Sequence, residues 1–67
     1  MAAGRKNYAV ATEGRGLNVR KYPAQSAPVI RVLSDGEKIA VDNTVETPSG
    51  WKKLLGDDGF VMAEFLK

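Results

Sequence analysis

Glycine and proline fall so often in this chain that no regular element can run far. Gly14 and Gly16, Pro23 and Pro28, Gly36, Pro48 and Gly50, then Gly56 and Gly59 cut it into short segments. Proline cannot donate to a strand ladder, and glycine takes φ > 0 without steric cost, so each marks a turn or a strand end. Between these marks the apolar residues recur with a period of two, as in a strand with one buried face.

"NYAVAT" (7–12) puts Tyr8 and Val10 on one side, and "GRG" (14–16) makes a turn or bulge. "LNVR" (17–20) alternates Leu17 and Val19 with Asn18 and Arg20, and "VIRVL" (29–33) is a β-branched run after Pro28. Asp35-Gly36 is a strong turn signal, and "EKIAVDNTV" (37–45) alternates again through Ile39 and Val41. "WKKLL" (51–55) and "FVM" (60–62) flank "GDDG" (56–59), which reads as a hairpin connection. "AEFLK" (63–67) is read as one helical or 3-10 turn before a final short strand. No window sustains a 3.6-residue apolar repeat. The expectation is an all-β domain of five to six short antiparallel strands, as a small barrel or sandwich. A barrel is preferred, because closure leaves fewer unpaired edges.

The expected core is Leu17, Val19, Ile30, Leu33, Ile39, Val41, Leu54, Val61 and Leu66. A chain of 67 residues forms one domain near the lower size limit for folding on a single core. Residues 7–67 are assigned to that domain, and residues 1–6 are expected to be disordered. With no cysteine there is no disulfide or thiolate site to supplement the core.

Charge and composition narrow the functions. Ten Lys and Arg against eight Asp and Glu give a net charge of +2. The adjacent pairs Arg5-Lys6, Arg20-Lys21 and Lys52-Lys53 are diluted by acids or neutral residues, which argues against a nucleic-acid partner. No apolar run approaches the ~18 residues of a membrane helix. "MAAGRKNYAV" lacks the apolar core of a secretion signal. The expected setting is cytoplasmic if the chain is complete as given, and extracellular or cell-envelope if it is excised from a secreted parent.

Catalysis is not expected. Without histidine, Ser26, Ser34 and Ser49 have no imidazole to take a proton. Asp57 and Asp58, adjacent in sequence, would point to opposite sides of an extended chain, and they read as turn formers rather than a carboxylate pair or cation site. Neither a metal nor a cofactor is expected, and the domain is expected to be monomeric.

The aromatics carry the binding signal. Tyr8, Tyr22, Trp51, Phe60 and Phe65 are too few to fill a core and also line an extensive groove. Tyr22 lies in the 21–28 loop before Pro23, where the chain is held extended. Its flat apolar ring with a hydroxyl at the edge suits peptide backbones and sugar rings. Trp51 starts a strand directly after the 46–50 loop. Asn18 and Arg20 face outward if Leu17 and Val19 face in. Arg20 either pins the following loop through its carbonyls or receives a ligand carboxylate. The candidate ligand-binding residues are Tyr22, Trp51, Asn18, Arg20, Tyr8 and Phe60.

The order of motifs in Leu17–Lys67 resembles the bacterial SH3-like domain, the SH3b type. "LNVR" is followed by a proline and a loop, then by "VI", "L-x-x-GE", an alternating strand, "GW" and "GFVMAEFL". Two departures stand out: Phe60 replaces a frequent tryptophan, and the "GDDG" hairpin is shorter than usual. The resemblance implies an SH3-like barrel in which residues 21–28 are the long first loop. It also implies a non-catalytic module that binds cell-wall peptide or peptidoglycan for a larger envelope protein or wall hydrolase. The alternative it implies is an intracellular or phage-encoded domain that binds a peptide segment of another protein.

Overall fold

The alternation of Leu17 and Val19 with polar neighbours becomes strand β2 (Leu17–Arg20) in a computed structural model that describes residues 4–56 and 59–67. The other strands are β1 (Arg5–Ala9), β3 (Val29–Leu33), β4 (Lys38–Asp42), β5 (Trp51–Lys53) and β6 (Phe60–Met62). β1 takes in Arg5 and Lys6, from the segment marked off by sequence, because both pair with β4 opposite Asp42 and Val41. A 3-10 turn follows at Ala63–Phe65, and the last residues return to β1 through mutual bonds between Ala9 and Lys67. Asp57 and Asp58, expected from sequence to form a turn, lie outside the described residues.

The six strands make two antiparallel sheets rather than one closed barrel. One pairs β1 with β4, and the other runs β3-β2-β6-β5. Isolated bridges join their ends, Val41 to Leu54 and Val10 to Leu66. The ring is therefore open at β3, which has β2 on one side and no described strand on the other.

Between the sheets lie Val10, Leu17, Val19, Leu33, Leu54 and Val61, with Ile39, Phe65 and Leu66 packed against them. Val41 is fully buried as well. Burying each such aliphatic contributes about 1.5–3 kcal/mol. Gly59 is required by close approach: a Cβ there would overlap Val19 Cγ1. Ile30 departs from expectation. It is exposed, because β3 is an edge strand with a register shift opposite Val19 and Arg20, and no second layer covers it.

Thr12, the one buried polar residue among those described, shows how the turns are locked. Glu13 and Gly14 adopt positive φ (56° and 87°), which curls the β1–β2 loop around the Asp35 side chain. Asp35 Oδ1 accepts the Thr12 N–H at 2.7 Å, and Thr12 Oγ1 accepts the Gly16 N–H at 2.8 Å. Backbone N–H groups, that of Thr12 foremost, hold the Asp35 carboxyl below its ordinary value against a smaller opposing effect of burial.

Candidate functional site

Strand register decides which candidate residues meet. Directly paired residues of neighbouring strands point to the same face. Leu17, Val19 and Val61 are buried, so the intervening residues of β2 and β6 form the outer face of the four-stranded sheet. One row across that face is Val29, Arg20, Phe60 and Lys53, linked pair by pair through all four strands. The next row has Val32 beside Asn18 on β3 and β2, and Met62 beside Trp51 on β6 and β5. Arg20, Phe60, Asn18 and Trp51 thus share one surface.

The 21–28 loop folds back beside this face. Lys21 N–H donates to Pro28 carbonyl at 2.9 Å, which closes the loop at its base. Arg20 Nη1 donates to the Ala27 carbonyl at 2.9 Å, and Ala27 is buried. The guanidinium therefore pins the loop, one of the two roles that its position suggested. From the loop, Gln25 Nε2 reaches Met62 Sδ at 3.8 Å. Tyr22 stays 56% exposed, with Lys21 Nζ 5.7 Å from its ring centre.

Trp51 is held from the other side. Its N–H donates to the Pro48 carbonyl, and its own carbonyl accepts the Thr47 hydroxyl at 2.7 Å. Gly50, at φ 88°, turns the chain into β5, and its carbonyl accepts the Ala63 N–H. The half-buried indole is thus fixed at its backbone on both sides of the strand start.

Tyr8 is not part of this surface. It lies on β1 opposite Ile39, in the other sheet, with Lys6 Nζ 6.0 Å from its ring centre. Sequence reasoning also missed Val29, Val32, Met62 and Gln25. Met62 was within reach of the period-two rule, since it sits two residues after Phe60. Val29 and Val32 could not be found that way, because an apolar run carries no record of which side is covered.

Lys53 ends the first row near Asp42. The Asp42 carboxyl is held below its ordinary value, first by the Thr44 hydroxyl, then by the Thr44 N–H, with the Lys53 charge adding to both. Among the described residues, no three acidic side chains gather as a cation site would need. Depressions of about 260 to 320 Å³, one of which reaches Val32, are lined by none of the six candidate residues. The shared face is a shallow, mixed aromatic and aliphatic surface bounded by a loop, a shape suited to an extended ligand lying across strands. No protein-family model and no curated protein matches this chain.

Proposed function

We propose that this chain is a non-catalytic binding module of the SH3-like type, and that it recognises cell-wall peptide or peptidoglycan as a targeting domain of a larger envelope protein or wall hydrolase. The observation that carries the reading is the convergence of Asn18, Arg20, Trp51 and Phe60 on one outer sheet face, beside a pinned loop that presents Tyr22. Binding then consists of desolvating aromatic faces while loop and side-chain polar groups hydrogen-bond an extended chain. A single surface of this kind gives modest affinity, and tethering to a parent protein raises it through effective concentration.

A second reading, a domain that binds a peptide segment of another protein, is favoured by Val29 and Val32. They extend the face with exposed aliphatic surface, which suits apolar peptide side chains better than sugar rings. Sedimentation of the purified chain with isolated cell walls separates the two. Cosedimentation lost in Tyr22→Ala and Trp51→Ala supports wall recognition. Failure to sediment with walls of every cross-bridge type refutes it.

A further inference from the structure

The turn between β3 and β4 carries chemistry that the aromatic face does not use. Asp35-Gly36 lies at its centre, and residues 34–37 are all exposed. An aspartate followed by glycine is prone to cyclise, because glycine has no side chain to hinder attack by its own backbone nitrogen. That nitrogen adds to Asp35 Cγ and gives up its proton. The new N–Cγ bond closes a succinimide, and a carboxyl oxygen leaves as water. Water then adds back at the Asp35 main-chain carbonyl and breaks its bond to nitrogen, so the chain runs onward through Cβ and Cγ as isoaspartate. Water is the only co-reactant.

By exposure alone this turn is a point of degradation. The fold, however, commits both reacting groups to one short segment. The Gly36 N–H donates to the Val10 carbonyl at 2.7 Å, and the Val10 N–H donates to the Glu37 carbonyl at 2.9 Å. Asp35 Oδ1 accepts the Thr12 N–H at 2.7 Å, with the Thr12 hydroxyl 3.4 Å away. Val10 and Thr12 are both buried, so water does not readily replace either partner. Ring closure needs Asp35 Cγ turned back onto the Gly36 nitrogen, which breaks the bonds to Thr12 and Val10 together. The backbone N–H groups around Asp35 also favour its ionised form, and a carboxylate must be protonated before its oxygen can leave as water.

We infer that Asp35-Gly36 is a latent isoaspartate site, held shut by Val10 and Thr12 in the folded chain and released when the turn lifts off them. Only the open turn cyclises, so the modification accumulates in proportion to local or global opening. Once formed, isoaspartate adds a carbon to the main chain and displaces the carboxylate that Thr12 holds. None of these residues belongs to the face that carries Trp51, so this inference and the proposed ligand can fail separately.

The test is incubation of the intact chain at neutral pH beside a capped synthetic peptide of residues 32–38. Isoaspartate is quantified after trypsin digestion by enzymatic methylation of its carboxylate. Cleavage after Arg31 and Lys38 separates Asp35 from the second Asp-Gly pair, Asp58-Gly59, which leaves on the 54–67 fragment. Isoaspartate at Asp35 should form at least about tenfold more slowly in the folded chain than in the peptide, and at the peptide's rate once urea unfolds the chain. Thr12→Ala removes the hydroxyl that bonds Asp35 and Gly16, and should speed the reaction while Trp51 fluorescence stays native. Equal rates in the folded chain and the peptide overturn the inference, and so does an unchanged rate in folded Thr12→Ala. If that variant unfolds, the comparison of the native chain with the peptide decides alone.

Discussion

Two residues of one strand, Leu33 and Ile30, should respond to truncation very differently. Leu33 is 1% exposed and packs among Val10, Leu17, Val19, Leu54 and Val61, so Leu33→Ala loses the full transfer energy and leaves a cavity. Such replacements cost about 2–5 kcal/mol. Ile30 keeps about half of its surface in water, so its truncation forfeits roughly half of the ~1.5–3 kcal/mol of a fully buried aliphatic. Water fills the space, and no cavity cost is added. The expected loss for Ile30→Ala is about 1 kcal/mol. A 67-residue domain has a total stability of roughly 3–10 kcal/mol, so the Leu33 change is a large fraction of the whole. The assay is equilibrium unfolding in urea, followed by the fluorescence of Trp51, the single tryptophan. At a slope of about 1 kcal/mol/M, Leu33→Ala should lower the midpoint by about 2 M or more, and Ile30→Ala by about 1 M. Equal shifts for the two would refute the assignment of β3 as an edge strand with one buried end.

Removing the Arg20 guanidinium tests the loop pin. Arg20→Ala should cost about 1–2 kcal/mol and raise amide exchange across residues 21–28, with β1 and β4 unchanged; uniform loss of protection would mean global unfolding instead. Asp35 sets an acid limb. Its folded carboxyl titrates below the ordinary value of about 3.9, so the folded state binds the proton more weakly than the unfolded one. Its stabilisation is present above that value and disappears as pH falls through the lower folded one. Asp35→Asn should flatten the fall of the urea midpoint below about pH 4, and an unchanged acid limb would show that the Thr12 clamp contributes nothing.

The strands and turns were legible in the sequence because their causes are local. Period-two alternation gave β2 and β4, while Asp35-Gly36 and the glycines near Arg15 gave the turns, each within a few residues of chain. Leu17, Val19, Leu33, Val41, Leu54 and Val61 were placed in the core for the same reason, and the structure buries all of them. Arg20 was legible as a loop pin because its partner, Ala27, is seven residues away.

What tertiary structure alone decided involves residues far apart in the chain. Thr12 and Asp35 are separated by 23 residues, and neither carries a mark of the other. Tyr8 looked equivalent to Trp51 as a candidate, yet sheet order put them on different sheets. "VIRVL" is apolar on both sides, so only the place of β3 at the edge determined that Leu33 is buried and Ile30 is not. Local sequence sets the conformation of each segment through sterics and periodicity. Which of its faces loses water depends on the neighbour that arrives, and that neighbour is fixed by the packing of the whole chain.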